Sequence, residues 1–229
     1  MMRKNLLSIL EIKCCKTLAL TRVLLYTGHS WKCLAGSVRA YTGAPDRMIK
    51  MEEKMITSLY QSLCNMETNI ADRVALRWYD EEKQGVAEVH YAQYAQDLRR
   101  FVAFLRAEYG DVRGKRVAIL ARNSYQYVIC MYGTVIAGGV AVPLNLGKDW
   151  DAISYELGLT EPVCILQDGE FAEREPALTE TYGSILKPMD AFSAYEPAED
   201  VTEVEDLSAL AFIMFTSGTT GRSKGVMLS

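Results

Sequence analysis

The chain has 229 residues, of which 49% are hydrophobic and 24% are charged, as in a globular protein with enough material to build a core. The net charge of −4 is uneven, because residues 1–50 carry nine Lys and Arg against two acidic residues, whereas the remainder carries 16 basic and 27 acidic residues. An acidic body argues against nucleic acid as a partner. Two histidines, and six cysteines without a C-x-x-C pair, disfavour a zinc site and a disulfide framework and favour a reducing, cytoplasmic setting.

Residues 1–54 form a basic, acid-poor extension ahead of the main body. Its apolar stretches are interrupted by Lys13, Lys16 and Arg22, so none reaches the ~20 residues of a membrane helix. It also lacks the uninterrupted apolar core and the small-residue cleavage site of a secretory signal. Two interpretations stay open, an organelle transit peptide and an unstructured extension. The second is the simpler one, and it places the folded unit at residues 55–229.

From residue 56 onward, the apolar residues follow helical or alternating periods in an orderly succession. The first segments predict a short amphipathic helix, a β-hairpin and a long amphipathic helix that stops at Gly110. These elements are expected at residues 56–63, 74–80 with 86–91, and 91–110.

The middle of the chain alternates between short apolar strands and helices. The strands are expected at residues 115–122, 140–145, 162–168 and 209–217, and the helices between them at 124–139 and 151–160. Residues 169–206 are polar with an acidic end, which predicts a solvated connection. This strand–helix–strand order predicts an α/β fold with a largely parallel sheet and flanking helices.

The last apolar strand leads into FTSGTTGRSKGVMLS, which concentrates hydroxyl residues, glycines and two bases within residues 216–225. Glycines have no Cβ, so the backbone can turn sharply here and approach a ligand closely. Successive backbone N–H groups in such turns form an anion site, to which hydroxyls add donors and Lys224 adds a positive charge. The glycines are Gly218, Gly221 and Gly225, and the hydroxyl residues are Thr216, Ser217, Thr219, Thr220 and Ser223. Because open α/β sheets bind ligands beyond the carboxyl ends of their strands, this loop is predicted to bind a polyphosphate.

The loop differs from the common phosphate-binding signatures. The Walker pattern is G-x-x-x-x-G-K-[ST], whereas here Ser223 precedes Lys224 and Gly225 follows it. The loop also lacks the dinucleotide pattern G-x-G-x-x-G, and the GVMLS that follows resembles a strand rather than a helix. A flexible linker is the plain alternative, but linkers do not usually lie between two apolar strands with a Lys fixed in them.

The motif FTSGTTGRSKGV closely resembles the phosphate-binding signature of the adenylate-forming (AMP-binding) superfamily, which includes acyl-CoA synthetases, peptide-synthetase adenylation domains and luciferases. VHYAQYAQDLRRF at 89–101, VIAGGVAVPLN at 135–145 and DLSALAFIMFTSG at 206–218 are similar to further family motifs and follow the family's order. The resemblance covers residues 56–229. One departure is Ser223, where the family usually has Pro, and without a fixed φ the loop is expected to be more mobile.

The resemblance implies the N-terminal part of the family's large domain and a two-step reaction. A carboxylate attacks the α-phosphate of Mg-ATP to give an acyl-adenylate and pyrophosphate, and a thiol, commonly coenzyme A, then displaces AMP to form a thioester. The resemblance assigns ATP-phosphate binding to Thr216, Ser217, Gly218, Thr219, Thr220, Gly221 and Lys224. Thr216 is further expected near Mg²⁺, and no catalytic residue is assigned.

The family's adenine-binding segment, ribose-binding Asp and C-terminal catalytic Lys have no counterpart in these residues. The resemblance therefore implies an N-terminal fragment of a carboxylate ligase that is inactive alone. Two alternatives stay open, a non-catalytic remnant of the fold and a fragment of an amino-acid-activating domain. Among other residues, Tyr125, Tyr127 and Met131 are expected in the core, and Asp149 as a helix cap. Arg222 is expected either at the phosphates or in solvent.

Overall fold

The computed structural model describes residues 58–80, 83–201, 204, 206, 208–216 and 222–229, together with the backbone of 24–27 and 30–33. Within the basic extension, strand β1 (Leu24–Thr27) pairs antiparallel with β2 (Ser30–Cys33) as a sheet of its own. The expected boundary at residue 55 lies outside the described residues and stays a prediction.

The body begins with the three elements that the sequence predicts. They are α1 (Leu59–Thr68), the antiparallel strands β3 (Val74–Asp80) and β4 (Gly85–His90), and α2 (Tyr91–Tyr109). α1 starts at Ser58, whose hydroxyl oxygen accepts the Gln61 N–H at 3.1 Å and so caps the first turn. α2 ends at Gly110, whose φ of +67° favours glycine. Local signals therefore fixed both helices.

Three parallel strands and two helices form the centre of the α/β unit. They are β5 (Arg116–Leu120), α3 (Tyr125–Ile136), β6 (Val140–Pro143), α4 (Trp150–Thr160) and β7 (Cys164–Gln167). β5 pairs in parallel with β6 on one side and with β7 on the other. The Asp149 carboxylate accepts the Ala152 N–H at 2.9 Å, which confirms its predicted role as the cap of α4.

The prediction of a solvated connection over residues 169–206 is wrong. The segment contains α5 (Glu170–Arg174), α6 (Pro176–Tyr182) and strand β8 (Leu186–Pro188), which lies parallel beside β7. Phe171, Leu178 and Phe192 are buried. Single apolar residues in a polar segment show no period in the sequence, but each can still be buried against a core that other elements supply.

The last two strands are β9 (Phe212–Thr216) and β10 (Lys224–Leu228). They complete a six-stranded sheet in the order β10-β9-β6-β5-β7-β8. β9 pairs in parallel with β6, and β10 returns antiparallel to β9, so the sheet is mainly parallel with one antiparallel edge. The predicted strand is thus present, but its expected burial is wrong. The residues of β9 are half-buried or exposed, and those of β10 are all exposed.

Helices cover both faces of the sheet. Successive residues of β5 point to opposite sides, so Val117 and Ile119 join the core around α2 and α3, whereas Ala118 and Leu120 join the core around α4 and α6. This arrangement confirms the predicted α/β fold with flanking helices. Within the described residues, no helix is both long and apolar enough to cross a membrane.

Tyr125 and its neighbours pack in the core, as predicted. The Tyr125 ring stacks on Trp78 with centroids 5.6 Å apart, and its hydroxyl donates to the Asp97 carboxylate at 2.7 Å. Tyr127 and Met131 pack against the same hydrophobic cluster, and burial raises the pKa of Tyr127 to about 12. These side chains therefore join the β3–β4 hairpin to α2 and α3.

Candidate phosphate-binding site

The predicted loop is the turn of a β-hairpin. β9 brings the chain to Thr216, residues 217–223 form the connection, and β10 carries the chain back from Lys224. Thr216 and Lys224 are the register pair that closes the turn, and the Thr216 hydroxyl lies 3.5 Å from the Lys224 carbonyl oxygen. Both residues are exposed. A hydroxyl and an ammonium are therefore accessible to a ligand at the base of the turn.

The structure describes two of the seven predicted phosphate-binding residues, Thr216 and Lys224. The other five, Ser217, Gly218, Thr219, Thr220 and Gly221, lie outside the described residues, and their assignment stays a prediction.

The sequence pattern predicts Gly225 in the turn, with the ligand-facing glycines. In the structure it lies in β10 instead. A Cβ at this position would lie 3.1 Å from Ile213 Cγ2 and 3.5 Å from a ring carbon of Phe215 on the paired strand. The missing side chain of Gly225 therefore relieves crowding inside the hairpin.

The turn lies at the carboxyl edge of the parallel strands. β6 runs in the same direction as β9 and ends at Pro143. The chain then turns back, with the Asn145 side-chain oxygen accepting the Gly147 N–H at 2.9 Å, and reaches Lys148. Open α/β sheets bind ligands at this edge.

Lys148 connects the turn to α4. Its ammonium forms an ion pair with the Glu156 carboxylate on α4 and donates to the Ser223 hydroxyl oxygen at 3.2 Å. It also lies 5.7 Å from the centroid of the Phe215 ring on β9. The Glu156 side chain is fully buried, whereas that of Lys148 is 21% exposed. The buried Glu156 carboxylate is therefore linked to the end of the turn through Lys148.

Arg222 contacts the same helix from the turn. Its guanidinium carbon lies 5.0 Å from the centroid of the Tyr155 ring, within the range of a cation–π contact, and the residue is exposed. From the sequence, Arg222 is expected either at the phosphates or in solvent. In the structure, one face of the Arg222 guanidinium packs against the aromatic ring of Tyr155 on α4.

Sequence reasoning missed Lys148 and Glu156, although one signal was present. Ile153, Glu156 and Leu157 follow helical spacing on the buried face of α4. A Glu in such a stripe needs a partner, because an unpaired buried carboxylate is costly. Spacing alone could not identify the partners, since Lys148 precedes the helix and Ser223 is 75 positions further along the chain.

The Mg²⁺ that the family resemblance implies prefers oxygen donors. No group of three or more His, Cys, Asp or Glu that could hold a metal occurs in the part of the chain that the structure describes. The exposed Thr216 hydroxyl is an oxygen of the type that Mg²⁺ accepts, and Mg²⁺ commonly takes its remaining ligands from water and substrate phosphates. The residues therefore fit a metal that arrives with its nucleotide.

The buried thiols are unsuited to nucleophilic chemistry. Burial raises the pKa of Cys164 to about 11 and also raises that of Cys130, so both thiols stay protonated near neutral pH. Both cysteines lie in the hydrophobic core, where a free thiol acts as a small hydrophobic residue.

The family profile described as AMP-binding enzyme matches residues 65–229, which include the hairpin and its turn. The chain belongs to the AMP-binding enzyme family. Within this family it is similar to surfactin synthase subunit 3 of Bacillus subtilis (strain 168), with 32% identity over 135 residues that cover 59% of this chain and 10% of that protein. It is also similar to human mitochondrial malonate–CoA ligase ACSF3, with 33% identity over 123 residues that cover 52% of this chain and 21% of that protein.

A solved structure supports the same assignment. The crystal structure of ATP-bound MatB from Rhodopseudomonas palustris matches with a TM-score of 0.55 and 30% identity, over 62% of this chain and 30% of that one. The chain thus spans 10–30% of the length of these three relatives. They include a peptide synthetase and a CoA ligase, so family membership alone does not choose between the two classes.

Proposed function

We propose that this chain is the N-terminal, phosphate-binding portion of an ATP-dependent, AMP-forming carboxylate ligase. One observation carries the proposal: a turn rich in glycine and hydroxyl residues, closed by Thr216 and Lys224, lies at the carboxyl edge of the sheet and inside the family match. Backbone N–H groups in such a turn bind anions, and a lysine ammonium adds charge that polyphosphates require. The ATP bound in the MatB relative supports the choice of nucleotide.

The proposed reaction has two steps. A carboxylate oxygen attacks the α-phosphorus of ATP and expels pyrophosphate, which leaves an acyl-adenylate. A thiol sulfur, in coenzyme A, then attacks the acyl carbon and expels AMP, which leaves a thioester. Mg²⁺ would neutralise part of the phosphate charge. This chain contributes to the first step, because only that step involves a polyphosphate.

Within that step, each part of the turn has a proposed role. Ser217, Gly218, Thr219, Thr220 and Gly221 would surround the phosphates with N–H and hydroxyl donors. Thr216 would donate at the entrance of the turn, near the metal. Lys224 would balance the negative charge that gathers on pyrophosphate as it leaves, which is the electrostatic contribution that most lowers such barriers.

A variant of Lys224 tests this proposal in a complete enzyme. Residues 65–229 replace the matching part of Rhodopseudomonas MatB, and ATP–pyrophosphate exchange is measured. Lys224→Ala is expected to slow adenylation roughly 10²–10³-fold. Thioester formation from a supplied acyl-adenylate should change far less, because that step involves no polyphosphate. Arg222→Ala is the matched control and should have a milder effect, since its guanidinium lies against Tyr155. Adenylation within about threefold of the parent for Lys224→Ala would overturn the assignment.

We further propose that the 229 residues by themselves do not catalyse adenylation. They span 10–30% of the length of the relatives described above. The motifs that carry the family resemblance also include no counterpart of the family's adenine, ribose and lysine elements. Purified chain should therefore show no ATP–pyrophosphate exchange with any carboxylate. Exchange above background in a preparation free of other synthetases would refute this.

The amino-acid-activating class is the second candidate, and the similarity to surfactin synthase favours it to the same degree as ACSF3 favours a CoA ligase. The two classes differ in the thiol acceptor, which is free coenzyme A in one case and a carrier-bound thiol in the other. A panel of amino acids and simple carboxylic acids, assayed with the complete product of the gene that encodes this chain, separates them. The CoA ligase is the class that we propose first, on the similarity to human malonate–CoA ligase ACSF3.

We also propose a cytoplasmic location, with residues 1–54 outside the folded unit rather than serving as a targeting segment. A fluorescent fusion of the chain should show the same distribution with and without these residues. Redistribution upon their removal would favour the transit-peptide alternative.

A further inference from the structure

Lys148 contacts groups from three separate elements. Its ammonium forms an ion pair with Glu156 of α4, donates to the Ser223 hydroxyl at the end of the turn, and faces the Phe215 ring of β9. Ser223 immediately precedes Lys224, which closes the hairpin opposite Thr216. One side chain thus links α4 to strand β9 and to the end of the turn.

The ion pair confines Lys148 to this position. The Glu156 side chain is fully buried, and its Oε2 has no hydrogen-bond partner among the described residues, so Lys148 is the charge that compensates it. A buried carboxylate without a counter-charge costs several kcal/mol. Lys148 therefore cannot leave Glu156 to follow a phosphate, and a role as a mobile phosphate ligand is disfavoured.

The contact depends on the hydroxyl at position 223. A serine oxygen accepts the Lys148 N–H, whereas the proline found there in most of the family fixes φ but carries no side-chain oxygen. A hydrogen bond to a charged donor is among the stronger ones in proteins. It can therefore replace part of the rigidity that a proline ring would supply.

We propose that Lys148, held in place by Glu156, is a positioning residue of the phosphate-binding turn: through Ser223 it fixes the end of the turn and thereby the location of Lys224. The inference rests on the proposed function, since the turn is taken to hold phosphates. It assigns Lys148 no contact with the reacting atoms. Lys148 is therefore expected to affect how well ordered the turn is and how tightly it binds phosphate.

The first measurement uses the 229-residue chain without ligand. Hydrogen exchange followed by mass spectrometry reports the amides of residues 222–228. Ser223→Ala should raise their exchange roughly five- to tenfold, as expected for losing one hydrogen bond to a charged donor. Ser223→Thr keeps the hydroxyl and should restore the wild-type rate.

A double variant separates positioning from general stability. Lys148→Met with Glu156→Leu replaces the buried ion pair by apolar side chains, a change that proteins often tolerate. It should accelerate exchange in residues 222–228 as much as Ser223→Ala, while strand β5 keeps its protection. Lys187→Met is the matched control, because it removes another lysine ion pair, with Glu108, that does not contact the turn. It should leave residues 222–228 unchanged.

Proline at position 223 provides the sharpest test. Ser223→Pro should restore order to the turn without the hydroxyl, so in that background the double variant should have no further effect on exchange. In the serine background the same double variant should accelerate exchange several-fold. Equal effects in the two backgrounds would show that Lys148 does not act through Ser223, and the inference would fail.

Inorganic pyrophosphate with Mg²⁺ is the ligand probe. It should slow exchange in residues 222–228 of the wild-type chain, and Ser223→Ala should weaken its apparent affinity several-fold, with recovery in Ser223→Thr. If exchange responds to Ser223 and Lys148 but pyrophosphate protects no variant, the proposed function fails and the positioning contact stands. If pyrophosphate protects every variant equally, the positioning inference fails and the proposed function stands.

Discussion

The central strands β5–β7 and the β9–β10 hairpin belong to one sheet, yet their surroundings differ. Val117 through Leu120 of β5 are fully buried between helices on both faces. In the hairpin, Met227 is 72% exposed and Met214 is 40% exposed. The buried strands are placed by hydrophobic packing, which is strong and tolerates little change. The hairpin has little such packing, so single contacts such as that of Lys148 with Ser223 have more influence on its position.

This difference matches the division of tasks that we propose. A site that must admit a large polyanion needs accessible donors, which a buried strand cannot offer. The hairpin supplies them at the sheet edge, while the buried strands hold that edge in place. The following experiments test this comparison, beginning with the largest expected effect.

Truncating one large side chain in the core that packs on the central strands, and one in the hairpin, should give very different losses of stability. Phe101→Ala removes a ring from α2 that is 0% exposed, and is expected to lower the free energy of unfolding by about 3–5 kcal/mol. Met227→Ala on β10 should change it by less than about 0.5 kcal/mol. Urea unfolding monitored by circular dichroism measures both. Similar losses for the two variants would contradict the comparison.

A second pair of variants adds a methyl group at one glycine in the core around the central strands and at one glycine in the hairpin. A Cβ on Gly133 of α3 would lie 2.5 Å from a ring carbon of Phe101, so Gly133→Ala should destabilise the chain by about 1–3 kcal/mol through overpacking. A Cβ on Gly225 would meet Ile213 at 3.1 Å, at a half-exposed edge that can shift. Gly225→Ala should therefore cost less than Gly133→Ala in the same urea titration. The reverse order would mean that the hairpin is packed as tightly as the core.

The buried core should also respond to high pH. Burial raises the pKa of Cys164 from 9.0 to about 11. Below pH 9 the thiol is protonated in both states, but between pH 9 and 11 only the unfolded state loses the proton. The free energy of unfolding should therefore fall as the pH rises through this range, by on the order of 2 kcal/mol. Urea titrations at pH 8 to 11 should show a shallower decline for Cys164→Ala, and equal declines would exclude this thiol as the cause.

Removal of the basic extension is expected to have the smallest effect on stability. Residues 1–54 are predicted to lie outside the folded unit, so brief digestion with a low concentration of protease should remove them first and leave a core that begins near residue 55. Mass spectrometry of the products identifies the cleavage sites. First cuts within residues 56–160 would place the boundary elsewhere. Unfolding measured on the trimmed core should match that of the whole chain.

Local patterns determined much of this protein. The alternating and helical periods located α1 to α4 and β3 to β7, because each of these elements buries a regular stripe or run of apolar residues. Caps and stops at Asp149 and Gly110 act within a single turn and are visible in the sequence. The glycine and hydroxyl pattern after β9 identified the family. It also predicts a phosphate-binding turn, since an anion site of this kind is built from neighbouring residues.

Only the tertiary structure decided the rest. The segment with α5, α6 and β8 buries single residues such as Phe171 in pockets that other elements create. Its sequence therefore shows no regular apolar period that would predict these elements. The exposure of β10 at the sheet edge, and of β9 beside it, follows from strand order and not from apolar content. The contact of Lys148 with Glu156 and Ser223 joins residues that are up to 75 positions apart in the sequence. Their contact exists because parallel strands bring the ends of distant segments to one edge, where a buried carboxylate holds the lysine beside the turn.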